Sequence, residues 1–335
     1  MRKITYTLSL IFACATSIYS QQEPIKIEGE AQGSTYHITY FDKENRDFQD
    51  EIEKILVDFD MSVSTYVPTS IISRINSNEP NVVVDKWFIA CFNKAKEVWK
   101  NTGGAFDPTV YPLVNAWGFG PGKKQKIEKN KIDSILKFVG FNLISLKGNT
   151  IIKKDPRVAL DFNAFAQGYS VDVVSEFLNS KGINAYIVEI GGELRAKGKK
   201  TNGDNWTIGI EKPIDNKTST NPLKAIVKLE NISVATSGNY RRFIIEDGVK
   251  YAHHIDPKTG YPTKNNLLSA SIFTKECISA DANATGVLVM GLEKAKEFLQ
   301  KHQELQAYLI YSDDKGNYQV FESPGLKSMI SDTNE

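Results

Sequence analysis

From Gly182 to Ala280 strand follows strand with no helix between, and that run limits the architecture more than any other feature. Ala185–Ile190, Trp206–Glu211, Leu223–Leu229, Tyr240–Glu246 and Leu267–Phe273 carry the β-branched and aromatic residues of strands. Helices precede the run. Phe48, Ile52, Ile55, Leu56 and Phe59 recur at helical spacing, and a second helix runs from an Asp85 cap through Phe88, Phe92, Ala95 and Trp99 to Gly103-Gly104. A third spans Ile132 to Val139, and a fourth spans Ala164 to Lys181 with Tyr169, Val173, Phe177 and Leu178 inward and Gly182 as its stop. Ser34–Phe41 reads as an early strand, and Leu143–Leu146 and Thr150–Lys153 as a hairpin about Lys147-Gly148-Asn149. Helices return at Ala280–Met290 and Leu292–His302, before strands at Ala307–Tyr311 and Tyr318–Phe321. Without strict βαβ alternation, the expected class is α+β in mixed layers, not a doubly wound parallel sheet.

The N-terminus reads separately. Arg2 and Lys3 precede an apolar stretch, Ile4–Ala15, too short to span a bilayer, and no acidic residue occurs before Glu23. Residues 1–22 are therefore expected to be an export signal, 23–328 one domain and 329–335 a tail. Ile11-Phe12-Ala13-Cys14 is an imperfect lipobox with a bulky Phe; acylation at Cys14 and ordinary cleavage after Ser20 are both open. With acylation, Gln21–Ile25 would be a short tether to the membrane. Without Arg2 and Lys3 the 41 basic residues become 39, against 40 acidic ones. So balanced a chain is not a nucleic-acid binder held by general phosphate attraction. Cys91, on the apolar face of its helix, reads as a buried, inert thiol.

Two stretches carry chemistry. His253-His254-Ile255-Asp256-Pro257-Lys258-Thr259-Gly260-Tyr261-Pro262 is a polar turn with paired imidazoles, which on a strand would face opposite sides, so at most one is expected to act. Ser279–Gly286 places Asp281 and Thr285 at i and i+4, on one face of a helix. Hard oxygen ligands of that kind suit Mg²⁺ with room left for substrate phosphates. Pro112–Pro121 reads as a glycine-rich surface loop, and Asp107 either accepts hydrogen bonds from a ligand or caps a turn. Asp161–Gly168 runs from a strand end into a helix, where free backbone groups can meet an anion or metal, although Asp161 or Asn163 as ordinary caps explains it alone. Gly191-Gly192-Glu193 reads as a tight turn.

In order, Gln32–Tyr36, Ser64-Thr65-Tyr66, Ala105-Phe106-Asp107, Pro112–Pro121, Asp161–Asp172, Gly191-Gly192-Glu193, Thr236-Ser237-Gly238, His254–Pro262 and Ala280–Gly291 together resemble the bacterial FAD:protein FMN transferases, the ApbE flavin transferase family. The resemblance covers roughly Ile25 to Ser328. It implies FAD in an elongated cleft and transfer of its FMN half to a threonine hydroxyl of an acceptor protein, a subunit of a membrane redox complex, with release of AMP. It further implies Mg²⁺ on the side chains of Asp281 and Thr285 and the carbonyl of Ala164. FAD contacts would come from Gln32, Tyr66, Ala105, Phe106, Asp107, Asp161, Gln167 and the backbone of Ile255. His254 would be the base. Gln32 and Gln167 depart from the Met and Lys frequent in the family, which reads as tuning. Two other functions compete: a Mg²⁺-dependent FAD pyrophosphatase with water as nucleophile, and a non-catalytic periplasmic flavin binder. The retained Asp281, Thr285 and His254 argue against the binder, since storage needs no metal-activated phosphate.

Overall fold

A computed structural model describes residues 22–121, 127–211, 223–239, 243–246 and 249–332. The leader with Cys14, and Tyr240–Arg242 of the expected fourth strand, lie outside the described residues. In chain order come β1 (Ile25–Ala31), β2 (Ser34–Tyr40), α1 (Gln49–Val63), α2 (Ile71–Asn76), α3 (Lys86–Asn101), α4 (Tyr111–Trp117) and α5 (Lys129–Leu136). A hairpin of β3 (Ile144–Lys147) and β4 (Thr150–Lys153) leads to α6 (Ala166–Ser180). Then follow β5 (Tyr186–Ile190), β6 (Glu193–Lys197), β7 (Trp206–Glu211), β8 (Leu223–Leu229), β9 (Ile232–Gly238), β10 (Phe243–Glu246), β11 (Val249–Ala252) and β12 (Leu267–Thr274). The chain closes with α7 (Cys277–Met290), α8 (Leu292–Lys301), β13 (Gln306–Ser312), β14 (Tyr318–Glu322) and β15 (Ile330–Asp332).

Eight strands form one sheet in the order β1-β2-β5-β6-β9-β12-β13-β14, with every neighbouring pair antiparallel. Helices cover one face and the small sheet β15-β8-β7 covers the other, which is the expected α+β layering. Strand alternation divides the core accordingly. Ala270 and Ile272 of β12 pack with Val287 and Leu288 of α7, while Phe273 points to Val227 and Leu229 of β8. Helix α7 is buried along nearly its whole length, between α6 and the sheet, which is why its sequence is apolar all round.

Local signals explain most elements. Asp85 caps α3 by accepting from Phe88 N at 2.8 Å and also takes the hydroxyl of Ser62 at 2.7 Å, tying the end of α1 to the start of α3. Asp172 of α6 accepts from Cys277 N (3.0 Å) and Ile278 N (2.8 Å), satisfying free N–H groups in the first turn of α7, and pairs with Arg195 of β6 at 3.0 Å. Burial still pushes the Asp172 carboxyl up to about 6.

The structure departs from the sequence reading in places. Tyr111–Trp117, overlapping the expected surface loop Pro112–Pro121, is helix α4, because Leu113, Ala116 and Trp117 bury one face and Trp117 Nε1 donates to Gly260 O at 2.9 Å. Helix α6 begins at Ala166, and Val171, Val174 and Leu178 are its fully buried apolar residues, with Tyr169, Val173 and Phe177 only partly covered. β1 begins at Ile25, so a tether could extend only to Pro24. At the other end Ile330 pairs with Val227, so the folded unit continues through Asp332 instead of ending at a tail after Ser328. Cys91 and Cys277 are free and buried, and burial pushes both thiols up, as expected for inert cysteines. Among the described residues no helix is long and apolar enough to cross a membrane.

Candidate active site

The loops and helix ends on the helical side enclose a cleft of ≈ 330 Å³. Its walls include Tyr66, Ala105, Phe106, Asp107, Asp161, Ala164, Gln167, His254, Ile255, Asp281 and Thr285. Eleven of the twelve residues expected at the site thus meet in one place. Gln32 stands apart, at a positive φ of 55° in the β1–β2 turn, where it borders a different cavity and accepts from the Ser170 hydroxyl at 3.1 Å.

One end of the cleft gathers oxygens. Asp281 and Thr285 project from one face of α7, and Thr285 Oγ1 lies 3.3 Å from the carbonyl oxygen of Ala164, in the turn before α6. Ser237 Oγ of β9 is 3.2 Å from the same hydroxyl. Asp281 Oδ2 accepts from Gly168 N at 3.0 Å. Desolvation nonetheless pushes the Asp281 carboxyl up to about 7. A carboxylate only 7% exposed calls for a cation. Carboxylate, hydroxyl and carbonyl are the hard donors that Mg²⁺ takes, and three protein ligands leave positions for phosphate oxygens. The donor set fits the metal.

Gly168 makes that arrangement possible. A Cβ there would lie 2.6 Å from Cys277 O and 2.7 Å from Asp281 Cβ, so only glycine lets α6 bring its N–H to the carboxylate. Gly168→Ala is expected to lower stability by about 1–3 kcal/mol through overpacking. Chemical denaturation checks this, and an unchanged midpoint would mean the helices separate freely.

Asp107 caps a turn and also lines the cleft. Its Oδ1 accepts from Thr109 N (2.8 Å) and Thr109 Oγ1 (2.6 Å) in the local turn, and its Oδ2 accepts from the distant Phe141 N (2.9 Å), while the residue also forms part of the cleft wall. Asp161 Oδ1 likewise accepts from Asn163 N at 2.8 Å. Gly191 and Gly192 form the β5–β6 turn at φ 68° and 106°, and the Gln167 side chain occupies the space a Gly191 Cβ would need.

The paired imidazoles do not diverge. His253 and His254 sit in a bend after β11, with ring centroids 3.9 Å apart, and both border the cleft. The expectation of opposite faces fails because alternation belongs to extended strand, and the chain leaves the strand at Ala252. His254 is held by its own carbonyl, which accepts from Thr263 N at 2.9 Å, and by its Nδ1, 3.0 Å from Asn239 Oδ1. Burial, with a smaller contribution from His253, pushes its basicity well below the ordinary histidine range, so the ring is neutral near pH 7. Below about pH 6.5 the unfolded chain takes up a proton at this position that the folded chain refuses, so stability is lost on acidification. The expected loss is at most about 1.4 kcal/mol per pH unit. The raised Asp172 and Asp281 carboxyls pull the opposite way, so wild type must be compared with His254→Gln. Wild type should lose stability relative to the variant from pH 6.5 to 5; parallel pH profiles would show a freely titrating ring.

Sequence reasoning did not single out Ser237 or Asn239 as individuals. Small polar residues at a strand end carry no periodic signal; Ser237 entered only within a longer stretch.

Residues 32–309 match the ApbE family. The chain is 35% identical to a FAD:protein FMN transferase of Vibrio cholerae, over 92% of this chain and 93% of that one. It is 37% identical to one of Haemophilus influenzae, over 91% and 92%. A solved flavin transferase ApbE from Vibrio cholerae superposes with a TM-score of 0.83 at 34% identity, covering 92% of this chain and 99% of that one. The apo flavinyl transferase ApbE of Pseudomonas stutzeri also gives 0.83, at 29% identity over 92% and 97%.

Proposed function

The chain belongs to the ApbE family and is a FAD:protein FMN transferase, and from that footing we propose a metal-assisted transfer onto threonine. The FMN half of FAD passes to a threonine hydroxyl of an acceptor protein. The new bond joins the threonine oxygen to the FMN phosphorus, the bond from that phosphorus to the bridging oxygen breaks, and AMP leaves with the oxygen.

Each residue has a share. Asp281, Thr285 and the Ala164 carbonyl would hold Mg²⁺, which when bound neutralises pyrophosphate charge growing on the leaving oxygen. Tyr66, Phe106, Asp161, Gln167 and the Ile255 backbone line the path for FAD. His254, neutral and buried, takes the proton of the attacking hydroxyl, a step worth about 10²–10⁴-fold. The observation carrying this reading is the convergence of the Asp281 carboxylate, Thr285 hydroxyl and Ala164 carbonyl in the cleft that His254 borders. The export signal read over Met1–Ser20, with or without a lipid at Cys14, supports an acceptor met outside the cytoplasm, a membrane redox-complex subunit with a Ser/Asp-Gly-x-x-Thr-like motif.

The test combines purified protein, FAD, Mg²⁺ and an acceptor fragment. The expected result is an acceptor heavier by one FMN less water, together with AMP, and no product in EDTA. Rapid release of free FMN and AMP with an unmodified acceptor would replace transfer by hydrolysis.

A further inference from the structure

We propose that Asn239 is a positioning residue for this reaction, fixing the tautomer of His254 so that its proton-accepting nitrogen is Nε2. The proposal rests on the reading of His254 as the base. Its geometric part stands on contacts that are independent of that reading.

Asn239 follows the last residue of β9, and its backbone and side chain both bind the neighbouring strand region. Its N–H donates to Leu268 O at 2.9 Å and its Nδ2 donates to Leu267 O at 3.1 Å. The second contact settles which way the amide faces. Rotated by half a turn, Oδ1 would oppose the Leu267 carbonyl, acceptor against acceptor. Oδ1 must therefore be the atom 3.0 Å from His254 Nδ1. An amide oxygen only accepts, so Nδ1 carries the hydrogen. In a neutral imidazole the other nitrogen then holds the lone pair. The remaining freedom of His254 is removed by its carbonyl, bound to Thr263 N at 2.9 Å, and by the Ile255–Pro262 bridge immediately after it. The His253 ring lies tilted at 46° with its centroid 3.9 Å away, and Asp107, Asp161, Glu193 and Asp281 are the carboxyl groups bordering the same cleft.

Without Asn239 the hydrogen can settle on Nε2, which then donates where it must accept. An imidazole in the wrong tautomer loses up to about 10⁴-fold in turnover. Asn239→Leu keeps the side-chain size and removes both contacts. Asn239→Asp keeps the acceptor and adds a charge that stabilises the imidazolium.

The experiment measures ¹⁵N shifts of histidine-labelled protein alongside kcat, KM for FAD and the pH profile. In wild type the His254 signals should report hydrogen on Nδ1 and a bare Nε2. Asn239→Leu should shift or mix the tautomers and cut kcat at least about tenfold, with KM for FAD within about twofold. Asn239→Asp should recover turnover at high pH with its acid limb moved upward, a change that mere loss of packing would not produce. Hydrogen on Nε2 in wild type would overturn the proposal, as would a Leu variant with unchanged tautomer and kcat. Wild-type transfer by His254→Gln would instead remove the base assignment, and the positioning role with it, while the wild-type nitrogen shifts would still report which nitrogen of His254 carries the hydrogen that Asn239 accepts.

Discussion

Asp281→Asn should abolish FMN transfer while leaving a protein at least as stable as wild type in the absence of metal. The substitution keeps the shape of the side chain and removes the only charged donor of the proposed Mg²⁺ set. Its amide can still accept from Gly168 N, now 3.0 Å from Oδ2 of Asp281, but then turns an N–H₂ toward the cation. Metal stabilisation of a transition state amounts to several kcal/mol, so the expected loss is at least about 10³-fold. Stability moves the other way because a buried carboxylate without a counter-ion costs folding energy that a neutral amide does not. Titrating each protein with Mg²⁺ while following transfer and thermal midpoint checks both halves. Wild type should be stabilised by the metal and the variant should not. Transfer by the variant at the wild-type rate in EDTA would remove the metal site from Asp281.

The second large effect belongs to the imidazole. His254→Gln should lower kcat by about 10²–10⁴-fold with little change in FAD affinity, since in the proposed role the ring acts on the acceptor hydroxyl. His253→Gln should cost much less. Their rings touch at 3.9 Å, so His253 is not remote from the chemistry, but the Asn239 contact belongs to His254. Rates measured at saturating FAD, with affinity measured separately, decide it. Equal losses in the two variants would mean the pair shapes the bend and the base lies elsewhere.

What the sequence made legible were the elements that repeat. Ile52, Leu56 and Phe59 along α1, and Asp85 at the head of α3, announce themselves through spacing and capping. The Asp281–Thr285 pair is visible for the same reason, being four residues apart on one helix. Strand β9 was not visible, because Ile-Ser-Val-Ala-Thr-Ser-Gly lies in the middle of the sheet and lacks the apolar–polar alternation of a half-exposed strand. Strands β1, β6, β11 and β15 were missed as well, three of them being five residues or fewer. Helix α4 was hidden by the prolines and glycines at its ends, which mark its boundaries but read as a loop when taken together. The carbonyl of Ala164 has no side-chain signature at all, and only the family resemblance pointed to it. Gly168 is a plain glycine until α7 is packed against it.

The burial of α7 between α6 and the sheet also governs when the cleft comes into being during synthesis. Its walls are drawn from residues 66 to 289, and the shelf of oxygens needs α7 seated between β9 and β12 on one side and α6 on the other. Contacts of such long sequence separation form late and together. A nascent chain that has emerged only as far as β11 has its histidine bend still to come and no Asp281, so the oxygen-lined end of the cleft does not yet exist. Reactivity therefore arrives with the final quarter of the polypeptide. A chain that crosses a membrane before folding would travel inert, and would acquire the capacity to modify other proteins only at its destination.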